Sequence, residues 1–235
     1  VREISSTGSS SISRSVDCTH MRDVAAMRQA ETRRIVESCG ALMTDDHFVY
    51  ASGEHGHGWI AKDLININPE QPRRLSQLLA EAVRDSGIQV DVVCGPAVGG
   101  VICAQYTALA LERQCVFTER TIDRTGFELK RRYGDVVDGR SVLLVDDIIN
   151  TGWSTGLSAE AIRAKGGQVT AVGAWINRGN VGASDLGVDQ FVFLDEVSLP
   201  SIPAHRCPMC EQGVAVNTDY AHGCEFVEGV KSALS

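Results

Sequence analysis

The sequence has no apolar run near the roughly 18 residues that a membrane-spanning helix needs. It is also short of positive charge: 22 Lys and Arg stand against 30 Asp and Glu, a net charge of −8. An acidic chain without a dense basic stripe is a poor partner for nucleic acid or an anionic membrane. The first residues, VREISSTGSSSISRS, lack the apolar centre of a signal peptide. We therefore expect a cytoplasmic protein with neither of these partners.

The chain has 235 residues, of which 43% are hydrophobic and 22% charged, a composition typical of globular proteins. Most of the eight cysteines stand singly in apolar segments, as buried thiols do in reducing compartments, so no disulfide is expected. The Ser-rich segment 1–18 is predicted to be mobile, with a helix following over 20–39. Because no linker interrupts the rest, residues 19–235 are expected to form a single domain.

Short apolar runs alternate with helical stretches along most of the chain. This pattern predicts an α/β fold with a twisted, mostly parallel five-stranded sheet flanked by helices. A small hood over about 40–68 and a C-terminal tail complete the predicted domain. The five predicted strands are 90–95, 115–119, 141–147, 168–178 and 188–197. Such sheets bind ligands at the carboxyl ends of their strands.

The segment 142–155, VLLVDDIINTGWST, carries the strongest chemical signal. Four apolar strand residues run into Asp146 and Asp147, whose carboxylates suit the vicinal hydroxyls of a sugar. The Thr-Gly turn that follows opens a helix, and a helix N-terminus suits a phosphate. Hydroxyl donors in this turn are Thr151, Ser154 and Thr155.

A second segment, CGPAVGG at 94–100, directly follows a predicted strand. Glycine allows close approach of the backbone, so consecutive amides can point at an anion. The segment precedes the acidic motif by one β-α unit.

Together these segments resemble the phosphoribosyl-pyrophosphate (PRPP) binding motifs of type I phosphoribosyltransferases, and the GPAxGG form resembles orotate-type members. The similarity extends over about 38–229. Segment 48–63, FVYASGEHGHGWIAKD, is similar to the family's hood, and 127–131, FELKR, to the strand after its mobile loop. Segment 175–179, WINRG, is similar to the strand end that contacts the base.

The resemblance implies Mg²⁺-dependent transfer of a phosphoribosyl group from PRPP to a nucleobase, with orotate as first choice. It implies a homodimer as well. The catalytic group it assigns is Asp146, Asp147, Arg120, Lys62 and Lys130, with Mg²⁺ held by the two aspartates through PRPP or water. The pyrophosphate loop is Gly95, Pro96, Ala97, Val98, Gly99 and Gly100. The 5′-phosphate turn is Asn150, Thr151, Gly152, Trp153, Ser154 and Thr155. Arg178 is assigned to the base.

Several positions depart from the family pattern, among them Arg120 and Glu54, and three others favour a different base. Trp153 stands where glycine is usual, Asn150 replaces a threonine, and Ala51 replaces a lysine found in some orotate enzymes. A phosphoribosyltransferase for another base is one alternative, and a non-catalytic regulator that senses PRPP is another.

The tail contains Cys207 and Cys210 in Cys-x2-Cys spacing, with His222 and Cys224 nearby. This has part of the spacing of a structural Zn²⁺ site, although the second half is not a clean ligand pair. His55 and His57 lie in the Gly-rich hood loop, where they either line the site or, as the favoured interpretation, are merely exposed.

Overall fold

The computed structural model describes residues 18–234, and the side chains of residues 20–229. The predicted mobile segment therefore lies outside the described residues, except Cys18, which begins the first helix. The helices are α1 (Cys18–Ser38), α2 (Lys62–Ile67), α3 (Glu70–Asp85), α4 (Gly99–Leu111), α5 (Tyr133–Val137), α6 (Trp153–Arg163), α7 (Pro208–Glu211) and α8 (Gly223–Leu234). The strands are β1 (Leu42–Met43), β2 (Phe48–Val49), β3 (His55–Gly56), β4 (Trp59–Ile60), β5 (Val92–Pro96), β6 (Gln114–Arg120), β7 (Phe127–Glu128), β8 (Ser141–Ile149), β9 (Gln168–Asn177) and β10 (Gln190–Glu196). None of the helices within 18–234 is long and apolar enough to cross a bilayer.

The central sheet has the strand order β10-β9-β8-β5-β6-β7. Strands β10, β9, β8, β5 and β6 are parallel neighbours, and they are the five predicted strands. The sheet also has a sixth member, the two-residue β7, which pairs antiparallel with the end of β6. The predicted fold class is confirmed, and the sheet is one short edge strand larger than expected.

Both faces of the sheet are buried because each strand alternates between two apolar layers. Along β8, Leu143 and Val145 belong to a core cluster that includes residues of α3 and α4. Val142 and Leu144 point the other way, into a cluster that includes residues of α6. A run of four consecutive apolar residues is therefore what a strand between two helical layers requires.

The strand order reverses between β5 and β8: after β5 the chain adds β6 and β7 on one side of it, and then β8, β9 and β10 on the other. These strands pair only as far as Cys94 with Leu144. Beyond that point β5 stays with β6, up to Pro96 beside Thr118, while β8 stays with β9, up to Ile149. The separation opens a crevice at the carboxyl ends of both strands, which is where this class of sheet binds ligands.

The hood consists of two antiparallel pairs, β1 with β4 and β2 with β3. The tail after β10 returns to it. His55 and Ile202 exchange backbone hydrogen bonds of 2.8 and 2.7 Å. Farther along, the amide of Asn217 donates to the carbonyl of His47, and that of His222 to Val49. Residues from the two ends of the described chain thus form one wall beside the sheet.

Candidate active site

A cavity of about 800 Å³ lies in the crevice between β5 and β8. Its walls come from the hood helix α2, the glycine-rich segment after β5 with the start of α4, the ends of β6 and β8, and the start of α6. The lining residues are Lys62, Asp63, Asn66, Ile67, Pro96, Ala97, Val98, Gly99, Ile102, Glu119, Arg120, Asp146 and Ser154. The structure therefore brings together predicted residues from four separate segments.

The glycines around the β5–α4 connection are required by close packing. A Cβ at Gly95 would lie 2.1 Å from the carbonyl oxygen of Gly100. At Gly99 it would lie 2.5 Å from Asp147 Oδ2 and 2.6 Å from Lys62 Nζ. Real Cβ contacts are essentially never this short, so any side chain at these positions would displace the loop or the charged groups.

The two aspartates lie where β8 has lost its β5 partner. Asp147 is only 1% exposed. Its Oδ1 accepts a 2.7 Å hydrogen bond from the amide of Ile148 and lies 3.3 Å from Lys62 Nζ. Its Oδ2 is buried and has no hydrogen-bond partner among the described residues. A buried acceptor without a donor is costly, so this oxygen calls for a ligand hydroxyl, a metal or a metal-bound water.

The electrostatics of this corner are strongly coupled. Burial, together with the neighbouring Asp147 carboxylate, raises the pKa of Asp146 well above its usual range. Burial alone would lower the pKa of Lys62, but the carboxylates of Asp147 and Asp146 outweigh it and the pKa is raised. Lys62 is therefore a cation at neutral pH. The paired carboxylates and the unsatisfied oxygen are a donor set that fits Mg²⁺, which prefers oxygen ligands.

The residues predicted to bind the 5′-phosphate, 150–155, lie in the turn between β8 and α6 and in the start of α6. Gly152 has φ of +74°, and a Cβ there would lie 2.4 Å from Leu186 Cδ2. The Trp153 amide donates to Thr151 Oγ1 at 3.3 Å. Ser154 faces the cavity, whereas Thr155 is buried. Asn150 and Thr151 are exposed.

Arg120 ends β6 and lies close to two aromatic rings. Its guanidinium carbon lies 5.0 Å from the centroid of Trp153 and 5.5 Å from that of Phe127. The tryptophan that replaces a glycine in the motif therefore supports a cation at the mouth of the cavity. An arginine can stack on a ring in this way because its guanidinium is planar.

Lys130 does not line this cavity. Its Nζ lies 3.3 Å from Glu119 and 3.7 Å from Glu128. The structure thus places this predicted cation in an ion-pair group at the β6–β7 edge, and Glu119, which sequence reasoning did not select, lines the cavity instead.

A second cavity of about 420 Å³ adjoins the first, sharing Lys62 and Asp63. The other lining residues are Trp59, Ile60, Ala61, Leu64, Ile148, Arg178, Asp219, Tyr220 and Ala221. The hood, the end of β8, the end of β9 and the tail therefore each contribute a wall. The tail residues were not predicted, because they are about 40 residues beyond Arg178 in a segment without a motif of its own.

Arg178 follows β9, and its amide donates to the Ile149 carbonyl at 2.8 Å. Its guanidinium carbon lies 5.0 Å from the ring centroid of Tyr50 and 5.4 Å from that of Trp59. Sequence reasoning selected the arginine but missed both rings. The available signal was an aromatic residue in each half of the hood motif.

The histidines and cysteines are arranged differently from the sequence interpretation. His57 is exposed, as expected, but His55 is fully buried, and neither lines the two cavities above. Cys207 and Cys210 do not gather with His222 and Cys224, the partners that the tail sequence offered. Instead the cysteines meet His47 and His55 of the hood. His222 lies 3.9 Å from Glu225, and Cys224 lies 3.8 Å from Glu228, both within the region of α8.

Comparison with known proteins agrees with this architecture. Residues 63–196 match the phosphoribosyl transferase domain family. Orotate phosphoribosyltransferase of Sulfurovum sp. is 33% identical over 191 residues, covering 77% of this chain and 93% of the relative.

Two solved structures share the fold. That of orotate phosphoribosyltransferase from Aeropyrum pernix has a TM-score of 0.60 at 24% identity, covering 69% of this chain and 92% of the other. The Mycobacterium tuberculosis enzyme in complex with PRPP has a TM-score of 0.56 at 20% identity, covering 72% and 96%. The chain belongs to the phosphoribosyl transferase domain family and, within it, is a type I member similar to the orotate phosphoribosyltransferases.

Proposed function

We propose that this phosphoribosyltransferase uses PRPP and Mg²⁺ to convert orotate into its nucleoside 5′-monophosphate, with release of pyrophosphate. The observation that carries the proposal is the pair of adjoining cavities. The larger is lined by the glycine-rich segment 96–99 and by Asp146, with Asp147 buried beside Lys62, which suits a phosphorylated sugar. The smaller contains Arg178, whose guanidinium lies against the rings of Tyr50 and Trp59. The relatives named for orotate support the same choice of base.

In the proposed reaction the anomeric carbon of PRPP loses pyrophosphate, which leaves with the bonding electron pair, and a ring nitrogen of the base forms the new bond. Positive charge grows on the ribose while negative charge grows on the leaving group. Catalysis is therefore chiefly electrostatic, through fixed groups that complement both charges in a site closed to water.

The residues of the larger cavity divide this work. Backbone amides of the loop 95–100 bind the pyrophosphate, and the start of α6 binds the 5′-phosphate. Asp146 and Asp147 accept hydrogen bonds from the ribose hydroxyls, which satisfies the unpaired Asp147 Oδ2. When bound through these carboxylates, Mg²⁺ would neutralise charge on the leaving group. Arg120 supplies a further cation at the cavity mouth.

Lys62 has a special position because it lines both cavities. Its ammonium group is fixed beside Asp147 and so lies where the sugar and the base would meet. In the smaller cavity, the guanidinium of Arg178 binds the carboxylate of orotate. The rings of Tyr50 and Trp59 lie against this planar cation and restrict its orientation, which favours two parallel hydrogen bonds to a carboxylate.

The proposal also includes a homodimer, which rests on the resemblance. It further includes a cytoplasmic location, which rests on the composition and the cysteine pattern, and a single domain over 19–235, which rests on the lack of a linker.

The test is pyrophosphate release from PRPP and Mg²⁺ with orotate, uracil, adenine and hypoxanthine in parallel. We expect orotate to be used at least about 100-fold faster than uracil, which lacks the carboxylate, because its absence leaves Arg178 unpaired. A different preferred base would overturn the assignment to orotate. PRPP binding without release for any base would favour the regulator.

A further inference from the structure

We propose that His47, His55, Cys207 and Cys210 bind one structural Zn²⁺ that fastens the tail to the hood. This site is separate from the proposed Mg²⁺ and PRPP site. Among the described residues, these four form a group in which the four ligand atoms all lie within 4.8 Å of one another.

The interatomic distances match a tetrahedral site. Zn–S bonds of about 2.3 Å and Zn–N bonds of about 2.0–2.1 Å place tetrahedral ligands roughly 3.3–3.8 Å apart. Cys207 Sγ lies 3.6 Å from His47 Nε2, and Cys210 Sγ lies 3.8 Å from that nitrogen and 3.4 Å from His55 Nδ1. The two ring nitrogens, 2.8 Å apart, would separate by roughly half an ångström around a metal.

His47 is oriented for such a role. Its Nδ1 lies 2.9 Å from the carbonyl oxygen of Val214, an acceptor, so this nitrogen carries the proton. The lone pair of Nε2 then points toward both sulfurs. A carbonyl that fixes the tautomer of a ligating histidine in this way is typical of metal sites.

Without a metal, the same atoms can form only a modest set of contacts. His55 would donate its Nδ1 proton to His47 Nε2, and the two sulfurs would have only weak hydrogen bonds. A hydrogen bond between the rings does not explain why both cysteines also converge on them. Four convergent soft and imidazole ligands are the donor set of structural zinc.

Local structure supports this interpretation. Cys207 is the N-cap of α7, with Pro208 as its first helical residue, so the short helix brings Cys210 back beside Cys207. His47 immediately precedes β2, and His55 begins β3, the antiparallel partner of β2. His47, His55 and Cys207 are at most 1% exposed, so only Cys210 opens to solvent.

A site with four protein ligands has no open position for substrate, so its role is structural. It anchors the hood, which carries Tyr50 and Trp59, to the tail, which carries residues 219–221 of the smaller cavity. The metal thus joins two walls that the sheet does not hold.

The first experiment measures metal by mass spectrometry in tag-free protein purified under reducing conditions with added Zn²⁺ and then desalted. We expect one zinc per wild-type chain, and an at least tenfold lower content in Cys207→Ser/Cys210→Ser. The matched control, His222→Ala/Cys224→Ser, removes the nearby pair that is outside the cluster and should keep its zinc. A wild-type protein without zinc, or a double serine variant that retains it, would overturn the proposal.

Because the serine variant could fail to fold, a second experiment uses the wild-type chain alone. The protein is treated with a thiol-alkylating reagent before and after a strong chelator, and modified cysteines are mapped. We expect Cys210 to be protected until zinc is removed, while the exposed Cys224 reacts in both states. Equal reaction of Cys210 before and after chelation, or a Cys207–Cys210 disulfide in the freshly purified protein, would contradict the zinc site.

Discussion

The two adjoining cavities are built in different ways. The larger is framed chiefly by the strand ends and helix starts of one sheet, where the position of each residue follows from backbone pairing. The smaller is framed by side chains from the hood, two strand ends and the tail. Under the proposed function, phosphate recognition depends mostly on main-chain geometry, whereas base recognition depends on side chains that can change without disturbing the sheet.

The largest effect is expected at the acidic pair. Asp146→Asn with Asp147→Asn should weaken PRPP binding at least about 100-fold, because charge-assisted hydrogen bonds of about 1.5–3 kcal/mol each are lost. Titration calorimetry measures this directly, with circular dichroism to show that the fold is intact. Unchanged PRPP affinity would remove the ribose assignment.

The role of the smaller cavity is tested by Arg178→Ala. We expect kcat/KM for orotate to fall about 100-fold, while PRPP affinity changes by less than about threefold. Arg178→Lys keeps the charge but loses the planar group that packs against Tyr50 and Trp59, and should recover only part of the loss. If PRPP binding suffers as much as orotate turnover, the two cavities do not have separate roles.

A smaller effect is expected from one methyl group in the phosphate loop. Gly99→Ala would place its Cβ against Asp147 and Lys62 and should weaken PRPP binding roughly tenfold by shifting both groups. Gly229→Ala in α8 is the control, because it adds the same methyl group far along the chain from both glycine-containing turns and a Cβ there meets nothing within 4 Å. Similar PRPP affinities for the two variants would show that the loop can yield without cost.

The smallest expected effect is on thermal stability: the single substitution Asp146→Asn should stabilise the ligand-free protein, although loss of the acidic pair should weaken PRPP binding. The raised pKa of Asp146 means that the folded state binds a proton more readily than the unfolded state. Stability is thus lost as pH rises above the ordinary titration range of aspartate. Asp146→Asn removes this loss, so its Tm without ligand should exceed that of the wild type by a few degrees at pH 7 and by less at pH 4. Thermal melts at both pH values decide, and a lower Tm at pH 7 would contradict the assignment of burial as the cause.

The sequence predicted the sheet and the larger cavity well for a physical reason. A strand buried on both faces must be a continuous apolar run, and the groups at its end, such as Asp146 and Asp147, are adjacent in the chain. Lys130 shows the limit of this reasoning, because its orientation toward Glu119 depends on the pairing of β6 with β7. The stacking of Arg178 and the grouping of His47 with Cys207 join segments more than 100 residues apart, and no local pattern encodes such contacts.

The closure of the hood by the tail has a consequence for biosynthesis. Chains emerge from the ribosome N-terminus first, and domains begin to fold as they emerge. The hood and strands β5 to β9 are complete by Asn177, yet the last wall of the smaller cavity, residues 219–221, is synthesised more than 40 residues later. Cys207 follows His47 by 160 residues. During translation, the chain that lines the larger cavity is therefore present before the smaller cavity is complete, and a chain truncated before the tail would have the first cavity without the second.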